Sequence, residues 1–272
     1  MQYLHAQYHR LPISFRVKMR RWWYELMSHQ FDPTATMIFM NYGFASLEPT
    51  APKIHLQTAD EINRYNIQFY HHLAHTLDLA GCRVLEVGSG RGGGASYIMR
   101  YLRPLSVTGV DIAAKAVEFC RHHHQVKGLQ FVQGNAESLQ FEDNTFDVIV
   151  NLESSHGYGS VPDFLREVSR VLKPRGHFVF ADWRERKQAM SLRQQILDTG
   201  LEVVKEEDVT ANVVHALELD VARKHEFIRD SVPRLWRGIF AEFSGLPHNS
   251  SFYDGFKSRQ KLYLHYILRQ PG

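Results

Sequence analysis

The sequence predicts an α/β fold in which a mostly parallel sheet is covered by helices on both faces. Three observations carry that expectation. Short apolar runs alternate with stretches of helical period from residue 83 to residue 182, and such alternation gives parallel strands joined by helical crossovers. A glycine-rich run, Gly88-Ser89-Gly90-Arg91-Gly92-Gly93-Gly94, follows the first apolar stretch. Acidic residues, Glu86 and Asp111, close the first two predicted strands.

The elements follow in order. Phe15, Met19, Trp22, Trp23 and Leu26 fall at helical spacing, with Arg16, Lys18, Arg20 and Arg21 interleaved. Such a helix can lie on an anionic membrane surface. The preferred alternative is that its apolar face packs on the chain's own lid or on a second subunit. Phe31-Asp32-Pro33 ends it, and the aromatic stretch around Tyr42-Gly43 reads as a loop. The pattern predicts a helix over Thr58 to Leu77, with Ile62, Tyr65, Phe69, His72 and Leu73 on one side. Strands are predicted at Arg83–Val87, Ser106–Asp111, Leu129–Gly134, Phe146–Leu152 and Gly176–Asp182. Helices are predicted at Gly92–Leu102, Ala113–Val126 and Val161–Leu172, and Lys173-Pro174-Arg175-Gly176 reads as a turn. Beyond Trp183 come a helix over Lys187 to Asp198 and a strand over Leu201 to Asp208. Residues 209–258 read as helices broken by Pro233 and Gly245-Leu246-Pro247, before a last strand over Lys261 to Arg269. An insertion placed like residues 209–258 most often covers a site.

Bulk properties exclude several classes. The 272 residues are 44% apolar with a formal net charge of +3, so a large core is expected and a nucleic-acid partner is not. Two cysteines, Cys82 and Cys120, give no disulfide framework and suit a reduced cytoplasmic setting. No apolar run approaches the roughly 20 residues of a membrane span, and no secretory pattern leads the sequence. His71, His72 and His75, and the run His122 to His124, suggest metal only superficially. Neighbouring helical histidines point to different faces and no Cys/His set has zinc spacing, so no metal is expected. A Gly-x-Ser-x-Gly elbow and a P-loop lysine are both missing, which removes the usual hydrolase and NTPase chemistry.

The glycine run marks the ligand site. A strand-to-helix turn aims backbone N–H groups at what binds there, and glycine lets the backbone come close. Gly88-x-Gly90-x-x-Gly93 also satisfies a dinucleotide fingerprint, so the glycines alone do not choose. Glu86 helps to choose, because a carboxylate at the strand end suits a positively charged ligand and repels a pyrophosphate. Asp111, with Ile112 beside it, is placed to accept from two ribose hydroxyls, although an Asp there also serves as an ordinary helix cap. Asn135, between Gly134 and Ala136-Glu137, can accept from or donate to a base, or simply cap its loop. His156 leaves the fourth strand where substrates of open α/β sheets bind. It is the natural proton acceptor near neutral pH, and Asp182 at the end of the neighbouring strand can orient it.

Glu86-x-Gly88-x-Gly90-x-Gly92 resembles motif I of the class I S-adenosylmethionine-dependent methyltransferases, and residues 80–183 look like that domain with its motifs in order. A looser resemblance runs from about residue 36 to the end. Phe39-Met40-Asn41-Tyr42-Gly43, Leu152-Glu153-Ser154-Ser155-His156 and Phe164-Leu165-Arg166-Glu167-Val168 resemble the phthiotriol/phenolphthiotriol dimycocerosate O-methyltransferases. Sterol and quinone C-methyltransferases look like more distant relatives. The resemblance implies a Rossmann-like fold with a seven-stranded sheet and a helical lid. It implies S-adenosylmethionine as cofactor, held by Tyr42, Glu86, Gly88, Ser89, Gly90, Asp111, Ile112, Asn135, Ala136, Glu137 and Asn151. His156 and Asp182 match a His and an Asp of relatives that methylate sugar hydroxyls. Two departures stand out: Asn135 replaces the usual Asp, and Gly157-Tyr158 follows His156 where a second His or a Cys is common.

The expected organisation is a helical or lid segment (1–57), the cofactor-binding core (58–208), a lid insertion (209–258) and the final core strand (259–272). The expected activity is O-methylation of an apolar small molecule, lipid or polyketide-type metabolite. C- or N-methylation, a non-methylating cofactor binder and an NAD-linked dehydrogenase stay open. Residues 15–27 are the candidate contact with a membrane, a second copy or the chain's own lid.

Overall fold

The computed structural model describes residues 37–272. The amphipathic helix expected around Trp22 and its stop at Pro33 lie outside these residues.

The sheet has seven strands: β1 (Arg83–Val87), β2 (Ser106–Asp111), β3 (Leu129–Gln133), β4 (Phe146–Leu152), β5 (Leu172–Glu185), β6 (Glu202–Asp208) and β7 (Lys261–Arg269). Their order is β3-β2-β1-β4-β5-β7-β6, parallel except for β7, which runs antiparallel to both β5 and β6. The chain moves outward from β1 to β3 and then returns to β4 on the other side of β1. The crevice above the carboxyl ends of β1 and β4 is therefore the switch point at which open α/β sheets bind ligands.

Alternating side chains fill two separate cores, as the period-2 geometry of strands requires. Val84, Val148, Val150 and Val179 pack with Ile67, Phe69 and Leu73 of helix α1 (Arg64–Ala74). Leu85, Ile149, Phe178 and Phe180 face the other way, onto Phe164, Leu165 and Val168 of helix α4 (Val161–Val171). Helix α4 starts where Ser160 caps it, its hydroxyl accepting from Asp163 N–H, with Pro162 in the first turn where no N–H is needed. Between these lie helices α2 (Gly93–Tyr97) and α3 (Ala114–His123); α5 (Arg186–Leu197) follows β5. Helices α6 (Thr210–Leu219), α7 (Val221–Ser231), α8 (Arg237–Phe243) and α9 (Ser251–Lys257) occupy the expected insertion.

Three local readings are corrected. Lys173 to Gly176 lies inside β5, which starts at Leu172 and is kinked by Arg175 at φ 63°; the pairing with β4 shifts register there. The turn chemistry survives as a bulge. The helix at Thr58 opens as a 3₁₀ turn (Thr58–Asn63), and Ile62 is 52% exposed while Ile67 and Tyr70 are buried instead. Change of helix type at Asn63 rotates the buried face. Gly92 sits in the left-handed region, and the helix after it runs on from Tyr97 as a π turn, Ile98–Leu102.

Candidate active site

The glycine loop is built by backbone geometry that side chains disfavour. Gly88, Gly90 and Gly92 have φ of 77°, 52° and 79°, which glycine adopts without steric penalty. The N–H groups of Gly88 and Ser89 donate to Val110 C=O at 2.8 and 3.0 Å, tying the loop to β2. Gly90 N–H donates to Asp111 Oδ2 at 2.8 Å, and Ala113 N–H to Oδ1 at 2.9 Å. Asp111 thus orders the loop and opens the next helix at once. Burial pushes its carboxyl up, opposed by these backbone donors.

Glu86 is fully buried below the loop. Tyr70 OH donates to its Oε1 at 2.7 Å, while Oε2 has no partner among the described residues. Burial pushes the carboxyl up to about 8, against the pull of Tyr70 and the Ala95 backbone. Two further buried atoms near the ends of β1 and β4 also have no partner among the described residues: Ser89 Oγ and Asn151 Oδ1. Asn151 spends its amide protons on Val87 C=O, Ser154 Oγ and Tyr158 OH at 2.7–3.0 Å. Buried polar atoms normally find partners, so this cluster around the loop fits a polar, positively charged ligand. A Cβ on Gly88 would overlap the Ser154 side chain, and one on Gly94 would overlap Tyr70 and Glu86.

The other expected contacts diverge. Asn135 Oδ1 accepts from Glu137 N–H at 3.1 Å, so the amide oxygen first serves its own loop. Glu137 Oε1 accepts from Gly159 N–H at 2.7 Å, and Ala136 is buried against the α4 side of the sheet. The Ile112 side chain is exposed, and its carbonyl accepts from Gln133. Tyr42 is buried, with its ring against Phe252 and Phe256 (5.9 and 5.4 Å between centroids) and its N–H donating to Glu153 Oε2 at 3.0 Å. Tyr263 OH donates to the same oxygen at 2.8 Å. Burial pushes Glu153 up to about 8, and it holds φ 54° where the chain leaves β4.

His156 and Asp182 are brought together. His156 Nδ1 lies 2.8 Å from Asp182 Oδ1. Asp182 is wholly buried and its other oxygen accepts from Ser155 Oγ (2.6 Å) and His156 N–H (2.8 Å), with the Arg184 guanidinium at 3.1 Å. Burial alone would raise this carboxyl, but His156 and Arg184 hold it well below the usual carboxylate range. An ionised Asp182 selects the Nδ1–H tautomer of His156, in which Nε2 carries the lone pair. The ring lies 4.7 Å from that of Trp183, which in turn meets Phe252 of α9 at 5.2 Å. Tyr70, Glu153, Ser155, Trp183 and Arg184 join the site without a motif of their own in the sequence. Trp183 and Arg184 directly follow Asp182 in the chain, and Glu153 and Ser155 belong to the stretch around His156, so adjacency to those two residues is the usable signal.

Residues 85–180 match the family model described as a methyltransferase domain. The chain is 35% identical to the phthiotriol/phenolphthiotriol dimycocerosates methyltransferase of Mycobacterium leprae over 92% of each chain. It is 40% identical to the fatty-acid O-methyltransferase of Mycolicibacterium smegmatis over 74% of this chain and 73% of that one. The geranyl diphosphate C-methyltransferase of Streptomyces coelicolor, solved with S-adenosyl-L-homocysteine, is similar in fold, with a TM-score of 0.60 at 17% identity, covering 85% of this chain and 92% of that one.

Proposed function

The chain belongs to the class I S-adenosylmethionine-dependent methyltransferases, and from that premise we propose that it methylates a hydroxyl oxygen of an apolar lipid or polyketide-type molecule, with His156 as general base. The observation that carries this reading is the 2.8 Å contact between His156 Nδ1 and the ionised, buried Asp182. S-adenosylmethionine, when bound, supplies an electrophilic methyl group on a sulfonium.

This chain's residues supply the rest. Glu86, Ser89 and Asn151 offer buried atoms, without partners among the described residues, that a cationic amino acid moiety would satisfy. Asp111, beside the loop, is the ribose acceptor in this reading. An alcohol is a weak nucleophile that gains from losing its proton as the methyl arrives. His156 Nε2 takes that proton, and Asp182 stabilises the imidazolium that forms. Trp183, Phe252 and Tyr42 give the acceptor side an apolar wall, which suits an apolar acceptor. The relatives named for lipid acceptors support that class, and free thiols at Cys82 and Cys120 accord with a cytoplasmic setting. Among the described residues no helix is long and apolar enough to cross a membrane.

The fatty-acid relative favours a second acceptor, a carboxylate, which is already deprotonated and needs no base. Incubation with methyl-labelled cofactor and a lipid extract tests both. Base-stable labelled ethers support the hydroxyl reading, base-labile labelled esters the carboxylate, and no transfer to any lipid removes both.

A further inference from the structure

We propose that His72, Glu207 and His265 form a binding site for a zinc-type divalent transition metal ion, apart from the methyl-transfer site. His72 Nε2 lies 2.9 Å from Glu207 Oε2, and His265 Nδ1 lies 3.2 Å from the same oxygen. All three donor atoms fall within 4.8 Å of one another. A tetrahedral ion bound at about 2.0–2.2 Å from nitrogen and oxygen ligands spaces them roughly 3.4 Å apart, close to the two shorter separations. Two imidazoles and a carboxylate are a known zinc donor set, with water as the remaining ligand. Magnesium, which prefers oxygen donors, fits poorly.

The fold fixes these ligands independently. Ala181, His265 and Glu207 stand opposite one another in register across β5, β7 and β6. His72 projects from α1, and its ring is stacked on Phe44 at 4.1 Å between centroids. His265 is wholly buried, and its Nε2 is a buried nitrogen without a partner among the described residues. A divalent ion takes neutral imidazoles and an ionised carboxylate. On binding, each imidazole moves its proton to the other ring nitrogen.

Two features limit affinity. Lys205 Nζ sits 2.7 Å from Glu207 Oε2 and competes for that oxygen. Among the described residues the buried Nε2 of His265 has no outer acceptor of the kind that usually strengthens a histidine ligand. Removal of the lysine should therefore tighten binding. The ion would staple α1 to the β6–β7 edge, and α1 also carries Tyr70, the partner of Glu86.

The test uses the full chain, stripped with a chelator and then dialysed against zinc chloride. Bound metal is measured by elemental analysis, and cobalt chloride gives a visible spectrum that reports coordination geometry. One equivalent of zinc, a raised Tm and a tetrahedral cobalt spectrum are expected, with no response to magnesium. His72→Gln and Glu207→Gln should each weaken binding at least tenfold, and Lys205→Met should tighten it. His71→Gln with His75→Gln should change nothing, which separates this site from the helix-surface histidines. No zinc uptake, or uptake unchanged by both His72→Gln and Glu207→Gln, overturns the proposal. The methyltransferase reading does not depend on the result.

Discussion

Tyr70 donates to Glu86 across 2.7 Å and leaves the second carboxylate oxygen of Glu86 buried beneath the glycine loop, without a partner among the described residues. Burial pushes this carboxyl up to about 8, so the cofactor-free protein carries it neutral at pH 7. A cation binds the ionised form, and its binding must release the proton. Affinity for S-adenosylmethionine should rise with pH from 6 to about 8 and then level off, by up to tenfold per unit. The folded value lies above the unfolded one, near 4.5, so the free protein should lose stability as pH rises from about 4.5 to about 8. Calorimetry in buffers of different ionisation enthalpy would show proton release, and Glu86→Gln should abolish both the release and the slope. A flat profile in the wild type would separate Glu86 from the ligand charge.

Gly94 is where the helix passes over that pair. A methyl group there overlaps Tyr70 Cζ and Glu86 Oε1. Gly94→Ala should therefore break the hydroxyl–carboxylate contact, lower stability by about 1–3 kcal/mol as overpacking does, and weaken cofactor binding. Thermal melts and cofactor titration check both. An alanine variant with wild-type Tm and affinity would mean the helix shifts freely at this point.

Asp111 orders the loop through Gly90 and opens the next helix through Ala113. Asp111→Ala should weaken S-adenosylmethionine binding at least tenfold, since two bonds to a charged acceptor are worth more than about 1 kcal/mol each. It should also lower the Tm, because two buried N–H groups lose their acceptor. Asp111→Asn, which keeps one oxygen, should cost less stability. Intact affinity in a folded Asp111→Ala protein places the ribose elsewhere.

His156→Ala should cost roughly 10²–10⁴ in kcat, the usual scale of general-base catalysis, with little change in cofactor affinity. Asp182→Asn should cost less rate. It also removes the charge partner of buried Arg184 and should lower stability by about 1–3 kcal/mol. The measurement is kcat against pH for the three proteins, once an acceptor is found. A His156→Ala enzyme with full kcat and an unaltered profile leaves proximity as the catalytic device.

Tyr42 is gripped by Phe252 and Phe256 of α9, and Phe252 touches Trp183 beside His156. The Tyr42 loop and helices α6 to α9 should therefore close as one unit over the site. Binding of S-adenosyl-L-homocysteine should slow hydrogen exchange in both segments together, and Tyr42→Ala should uncouple them. Equal exchange with and without ligand in both segments argues against a lid.

Periodicity and turn chemistry are local, and local features were legible. The bounds of β1, β2, β4 and β7 match the reading residue for residue, and the glycine loop and strand-end acids stand where their spacing put them. The His156–Asp182 contact was also legible, because both residues lie near the carboxyl ends of strands that a parallel sheet sets side by side, although His156 sits in the turn after β4 and β5 runs on past Asp182 to Glu185. The kink at Arg175 and the rotated face of α1 were not. They depend on how a strand pairs and how a helix begins, and those are settled by neighbours. The partners of buried charge were least legible of all. Tyr70 reaches Glu86 from a different element, and His72 and His265 meet Glu207 across 135 and 58 residues of chain. The sequence determined which elements form and which ends carry chemistry. Only tertiary packing decided that Tyr70 meets Glu86 and that His72 and His265 meet Glu207, because desolvation and distance act through space and leave no mark on local residue pattern.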